Sequence, residues 1–276
     1  MSNQVRQIVH AMWTGVAEQW SDRAEFLDHR AADVTKALLD GADIGATDRV
    51  LALADGPGGI GLAAASLAAE VVSSDIAPSY ADVVTARAKA AGLTNVTAKV
   101  LDIEEIDEPE ASFDAVVIRE GLMFAAEPLT ALGEIRRVLR DDGRLAAAVW
   151  GTKADNPWLS IVMAAVGAQV GHEVPPPGMP GPFALADELR LGELARDAGF
   201  RDVRIDHIIV RFHAPSFEDW WAHTSALAGP IAMVVAGLSD EARADLLDQL
   251  RSAARPYETS DGLDIPGLSL VLTARR

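Results

Sequence analysis

LALADGPGGIGLAAA, residues 51–65, decides how the rest of the chain is read. An apolar run breaks at Asp55 into a cluster of glycines and then resumes as leucine and alanine, the pattern of a buried strand turning sharply into a helix. The letters Gly56-Pro57-Gly58-Gly59-Ile60-Gly61 satisfy G-x-G-x-x-G, the fingerprint of a dinucleotide site, yet the same strand-turn-helix also cradles other adenosine ligands. The turn calls for an adenosine-bearing ligand without choosing among them.

Outward from this turn, strands and helices alternate. Strand one is expected over Val50–Ala54, a helix over Gly59–Ala69, strand two over Val71–Ser74 ending at Asp75, and a helix over Tyr80–Ala91 closed by Gly92. Strand three spans Val96–Leu101, and the apolar run Phe113–Ile118, bounded by acids, reads as a fully buried strand four. Leu129, Leu132, Ile135, Val138 and Leu139 recur at threes and fours in a helix stopped by Asp141-Asp142-Gly143, after which Leu145–Trp150 is strand five. This rhythm implies parallel pairing with right-handed crossovers and a ligand at the carboxyl ends of the strands. Asp55, Asp75, Asp102, Arg119, Glu120 and Trp150 therefore gather around one mouth.

The flanks read differently. Residues 4–40 carry helical spacing (Val5, Ile8, Val9, Met12, then Val34, Leu38, Leu39), and Gly41–Thr47 reads as a linker, which sets an N-terminal helical cap at residues 1–45 and the main α/β domain at 46–276. After Gly151 the pattern loosens into the proline-rich stretch Pro175–Pro182, followed by a helix over Ala186–Ala198, a sixth strand over Val203–Phe212 and a last strand over Leu268–Ala274. Between those last two strands a helical insertion, at about 213–255, is placed to act as a lid. Trp150, Trp220, Trp221 and Met233 are the expected substrate contacts, although adjacent Trp220 and Trp221 on one helix cannot both face inward. Trp150 reads equally well as core packing.

Composition narrows the function classes. The 276 residues carry 41 acidic against 24 basic side chains, a formal charge of -17, and lack a basic cluster with which to meet a phosphate backbone. Nucleic acid and membrane surfaces are thus not expected partners; a small-molecule substrate is, and a homodimer is compatible with the sequence. The absence of cysteine excludes disulfides, thiolate metal sites and cysteine nucleophiles. The histidines at 172, 207, 213 and 223 lack metal-ligand spacing, so no metal is expected. The N-terminus has no charged start followed by an apolar core, and no apolar stretch is long enough to span a bilayer, so a cytoplasmic location is expected.

Asp75, at the end of strand two, can accept ribose hydroxyls in either class of adenosine site, or simply cap the following helix. Asp102 discriminates better. It stands immediately after strand three in LDIEEID, where a carboxylate can take an exocyclic adenine amine while the amide of Ile103 reaches a ring nitrogen; the alternative is a plain turn residue.

Taken together, VLALADGPGGIGLA, the acid of SSDIAPSYADVVTARA, LDIEEIDEPEASFDAVVIREGLMF and EPLTALGEIRRVLRDDGRLAAAVWG resemble, in order across residues 49–151, the class I S-adenosylmethionine (SAM)-dependent methyltransferases. The similarity is to the small-molecule branch that includes the ubiquinone and menaquinone biosynthesis enzymes. The resemblance implies a Rossmann-like seven-stranded sheet ordered 3-2-1-4-5-7-6 with its last strand antiparallel, and SAM as cofactor. It implies cofactor contacts from Trp20 in the cap and from Ala54, Asp55, Gly56, Gly58, Asp75, Ile76, Asp102, Ile103 and Arg119.

The sequence also departs from the family pattern. Where acid-x-Gly-x-Gly usually ends strand one, this chain has Ala52-Leu53-Ala54-Asp55-Gly56, so the usual acid and first glycine are both alanine, with Asp55 as a possible substitute charge. The departure keeps two alternatives open: a methyltransferase-fold enzyme with non-methylating chemistry, such as cyclisation or decarboxylation, or a nicotinamide oxidoreductase. Glu120, directly after strand four in VIREGLMF, is the candidate general base, its carboxyl raised by partial desolvation; the alternative is an ion pair with Arg119 or a lid arginine.

Overall fold

A computed structural model describes residues 2–227 and 230–276, with Ser2, Pro230 and Met233 described through their backbone alone. The N-terminal segment folds as helices α1 (Ser2–Ser21), α2 (Ala24–Arg30) and α3 (Ala32–Ala42). The alternating part follows with β1 (Arg49–Leu53), α4 (Gly59–Ala65), β2 (Glu70–Asp75), α5 (Ser79–Ala90), β3 (Val96–Val100), β4 (Phe113–Arg119), α6 (Pro128–Val138) and β5 (Leu139–Trp150). The remaining elements are α7 (Pro157–Val170), α8 (Glu188–Asp197), β6 (Arg201–Ile209), β7 (Phe212–Ala214), α9 (Phe217–Leu227), α10 (Pro230–Ala236), α11 (Asp240–Ala254), β8 (Glu258–Thr259), β9 (Gly262–Ile265) and β10 (Leu268–Arg275).

The sheet has seven strands in the order β3-β2-β1-β4-β5-β10-β6. All pairs from β3 to β5 are parallel, and β10 runs antiparallel to both of its neighbours. This is the expected 3-2-1-4-5-7-6 arrangement, with β10 as the seventh strand. The runs Val50–Leu53 of β1, Ala115–Ile118 of β4 and Leu145–Trp150 of β5 are buried because both faces are covered, which is why they read as continuous apolar runs. Chain order reverses at β1, whose neighbours are β2 and β4, and a crevice opens beyond their carboxyl ends at such a switch point.

Several boundaries differ from the sequence reading for identifiable reasons. Gly41–Ala42 is not linker but the last turn of α3, which packs on β4, β5 and β10 with Val34, Leu38 and Ala42 fully buried. Gly41 allows that approach, since a methyl there would meet Thr273 Cγ2 at 2.6 Å. The Asp141-Asp142-Gly143 segment lies inside β5, which begins at Leu139 directly after α6. The expected sixth strand breaks after Ile209 into β6 and β7, and β7 joins a separate three-stranded sheet, β7-β9-β8. The insertion folds as α9, α10 and α11, and α7 packs against α10 and α11. Helix α1 touches both α5 and α9, which brings the N-terminal segment against the insertion.

Because α3 ties the N-terminal segment to the sheet through fully buried side chains, Leu38→Ala is expected to destabilise the whole chain by about 2–5 kcal/mol. Urea unfolding measures it as a lowered midpoint at unchanged slope; a midpoint equal to the parent's would mean that α3 is dispensable to the core.

Candidate functional site

A cavity of about 690 Å³ opens at the carboxyl edge of the sheet, roofed by α1 and walled on its far side by α7 and the insertion. Its construction begins at the β1 turn. Asp55 turns its side chain into the protein: Oδ1 accepts from Ile60 N at 3.0 Å, and Oδ2 accepts from Gly61 N at 3.1 Å and from Ser73 Oγ at 2.6 Å. The carboxylate thereby satisfies free amides in the first turn of α4 and pins that turn to β2. Burial pushes the Asp55 carboxyl up to about 7, against the lowering effect of these hydrogen bonds and of Arg119. Asp55 lines the cavity as expected, with both of its carboxyl oxygens engaged inside the turn.

The glycines then do what the fingerprint requires. Gly56 and Gly58 have φ of 53° and 95°, and Gly58 leads into α4 in the left-handed region that only glycine enters without cost. Gly56 N donates to Asp75 Oδ2 at 2.9 Å, and Ala77 N donates to Oδ1 at 3.0 Å, so Asp75 is oriented by two backbone amides at the cavity wall. Burial raises its carboxyl above the ordinary range, partly offset by those amides. Ala54, where the family pattern has glycine, adopts φ of 50°, a strained choice for a residue with a Cβ. Gly121 relieves the crowding, since a methyl on it would lie 2.4 Å from Ala54 Cβ.

Two polar atoms beside this loop lack partners. Tyr80 Oη and Trp20 Nε1 are buried without a hydrogen-bond partner among the described residues, and both side chains line the cavity. Buried donors of this kind are costly unless something satisfies them, which marks this end as the place of a polar ligand. Trp13 sits edge-on to both Trp20 and Phe124, at 5.1 and 4.9 Å, and carries the aromatic wall from α1 across to the loop after β4. Ile76, Leu101, Asp102 and Ile103 complete this wall. Asp102 lies where the sequence places it, but α1 already engages it: Arg6 Nε donates to Oδ2 at 2.5 Å, His10 Nε2 lies 2.8 Å from the same oxygen, and Glu104 N donates to Oδ1.

The β4 side differs from expectation at Arg119. Its guanidinium donates to Thr35 Oγ1 at 2.9 Å and to Asp28 Oδ1 at 3.2 Å, and Arg87 also donates to Asp28, through Nη2 at 2.5 Å, while its Nη1 donates to Pro57 O. Arg119 is thus committed to clamping α2 and α3 over the glycine turn, and it does not pair with Glu120. Glu120 has φ of 63°, accepts from Ser269 Oγ at 2.9 Å, and is held above the ordinary carboxylate range by burial, with Arg30 and Arg119 opposing.

At the far end, Trp150 lines the cavity edge-on to Trp158 at 5.0 Å. The expected contacts from Trp220 and Trp221 are corrected. Trp220 is fully buried against Phe217 and Trp221 packs against the core, while neither lines the cavity. One and two turns further along α9, Thr224 and Leu227 reach it instead, with Ile231 and Val234 of α10; the Met233 side chain lies outside the described residues. The proline-rich segment also contributes, through Val174, Pro175 and Met179 among others. Among the described residues no group of three or more potential ligands is placed to hold a metal ion, and no helix is long and apolar enough to cross a membrane.

Comparison with known proteins agrees with this construction. Residues 51–147 match the family model of a methyltransferase domain. An uncharacterised protein of Mycobacterium tuberculosis is 29% identical over 96% of this chain and 93% of its own length. A demethylmenaquinone methyltransferase of Thermus thermophilus is 39% identical over 36% of this chain and 46% of its own. Among solved structures, phosphoethanolamine N-methyltransferase 2 of Haemonchus contortus, in complex with S-adenosyl-L-methionine, superposes with a TM-score of 0.55 at 19% identity, covering 88% of this chain and 52% of that one. Residues 51–147 are thus similar to a methyltransferase domain, and the seven-stranded sheet has the strand order of the class I SAM-dependent methyltransferase fold.

The Asp55 carboxyl supplies a pH test of the turn. Its folded value, about 7, lies above the ordinary 3.8, so the folded state holds a proton that the unfolded state has released. Its contribution to stability is therefore greatest below about pH 4 and is lost as the pH rises through about 7. Asp55→Asn removes this titration, and the stability difference between parent and variant is expected to shift in the variant's favour between pH 5 and pH 8; thermal melts giving a pH-independent difference would place the Asp55 proton outside the folding equilibrium.

Proposed function

We propose that this methyltransferase-domain protein transfers a methyl group from SAM to a small, largely apolar acceptor held in the cavity at the carboxyl edge of its sheet. The observation that carries the proposal is the coincidence, in one cavity, of the glycine turn, the amide-oriented Asp75 and the orphaned Tyr80 and Trp20 donors. The antiparallel β10 between β5 and β6 favours this reading over a nicotinamide site, for which the usual order is an all-parallel 3-2-1-4-5-6.

Asp75 would accept the ribose hydroxyls, Gly56 and Gly58 would let the backbone approach the cofactor, and Ile103 would present its amide to the adenine. Asp102 would serve the adenine amine through lone pairs not used by Arg6 and His10. Tyr80 and Trp20 would find partners at the polar end of the bound cofactor. SAM supplies, when bound, an electrophilic methyl on a positively charged sulfur.

What the protein adds is alignment and exclusion of water. Helix α1 covers one side with Trp13 and Trp20; Trp150, Trp158 and the α9–α10 residues keep the other side apolar. Glu120 stands between the two halves. A carboxyl raised by burial is suited to take the proton released by an acceptor hydroxyl, amine or acidic carbon. Ser269 holds its Oε1, leaving Oε2 as the basic atom.

Asp75→Ala is expected to weaken binding of the demethylated product, S-adenosylhomocysteine, by about 10-fold or more, the scale of a hydrogen bond to a charged acceptor. Calorimetry measures it, and an unchanged affinity would place the ribose elsewhere. Glu120→Gln keeps the shape and removes the basicity. Turnover is expected to fall about 10²–10⁴-fold with product affinity and melting temperature retained, whereas undiminished turnover would leave alignment as the sole contribution of the site.

A further inference from the structure

Arg30 is a charged residue of the cavity wall whose chemistry the cofactor does not absorb. It ends α2, and its guanidinium carbon lies 4.1 Å from the ring centre of Trp158, 4.9 Å from that of Phe212 and 5.1 Å from that of Trp150. Those contacts engage the π-faces of three rings, which attract a cation but offer its N–H groups no lone pair. Nε and Nη2 are closed off from solvent and find no hydrogen-bond partner among the described residues. These two atoms form one edge of the planar guanidinium, the fork that meets a carboxylate through two parallel hydrogen bonds. Glu120 is near enough to act on Arg30 electrostatically, but its hydrogen bond comes from Ser269.

We propose that Arg30 anchors the acceptor substrate through a carboxylate, so that the acceptor is an apolar, monoanionic carboxylic acid whose body lies among Trp150, Trp158 and the α9–α10 residues. The inference rests on the methyl-transfer reading for the word acceptor, and on Arg30 alone for the carboxylate. Burial lowers the guanidinium only to about 10, so it remains a cation at neutral pH and a buried charge without a hydrogen-bonded counter-ion. A single carboxylate satisfies both the charge and the two donors. A phosphate dianion would leave an excess negative charge in an apolar chamber beside Glu120, which disfavours phosphorylated acceptors. The aromatic box holds the guanidinium plane in place before the ligand arrives, which reduces the ordering cost of binding.

The test uses the full chain saturated with S-adenosylhomocysteine and a panel of alkyl and aryl carboxylates, each paired with its own primary amide, titrated by calorimetry. The carboxylate of at least one pair is expected to bind about 10-fold or more tightly than its amide. Arg30→Met retains the apolar stem against the rings and is expected to abolish that preference while leaving S-adenosylhomocysteine affinity within about 2-fold; Arg30→Lys, which keeps the charge but not the fork, is expected to restore only part of it. No carboxylate preference across the panel, or a preference that survives in Arg30→Met, overturns the proposal. Failure of the parent to bind S-adenosylhomocysteine overturns the cofactor reading instead, and the carboxylate-against-amide comparison on the unsaturated chain still decides the role of Arg30.

Discussion

The Asp55 side chain holds the site together. By accepting from two amides of α4 and from Ser73 on β2, it locks β1, the glycine turn and β2 into one rigid corner. That corner fixes the direction of the Gly56 amide, which in turn orients Asp75 at the cavity wall. Arg119, pulled toward Asp28 and Thr35, presses α2 and α3 onto the same corner from outside. The position of Arg30 at the end of α2 follows from this clamp.

Two of the strained backbone positions lie on the cavity wall. Ala54 and Glu120 both take left-handed backbone conformations at the carboxyl ends of adjacent strands, each a departure of about 1–3 kcal/mol that the surrounding structure must impose. Gly121 makes the first possible by leaving room for the Ala54 methyl, and the Ser269 hydroxyl, supplied from β10, meets the second. The alanine that breaks the family pattern is therefore matched by a glycine elsewhere in the site. The departure alters the corner's packing without closing the cavity.

How much of this was legible in the sequence follows from how locally each feature is encoded. The strands of the central sheet are buried on both faces and flanked by turn residues, so their apolar runs are unambiguous, and the order of motifs from residue 49 to 151 carries the cofactor end of the site. The inward hydrogen bonds of Asp55 were not legible, because a carboxyl after strand one looks the same whether or not it engages the helix behind it; only the tertiary position of Ser73 decides. The partners of Arg119, which lines the cavity, were not legible, since Asp28 and Thr35 lie far away in sequence. Trp220 and Trp221 drew attention by the apolar content of the insertion and its place in the order of strands, yet the helix phase that buries Trp220 in the core carries Thr224 and Leu227 to the cavity one and two turns later. Helix α7 lacked a visible period because it is apolar nearly all round. Arg30 had no local signature, because an arginine ending a short helix is ordinary until three aromatic rings from distant segments surround it.

The central claim is that the corner, the orphaned donors and the α1 roof together form a SAM site. Its most direct test is calorimetric titration of the unmodified chain with SAM and, separately, with NAD. Saturable binding of SAM at one site per chain, with NAD giving no heat beyond dilution, is the predicted result; saturable NAD binding with no SAM signal would contradict the account.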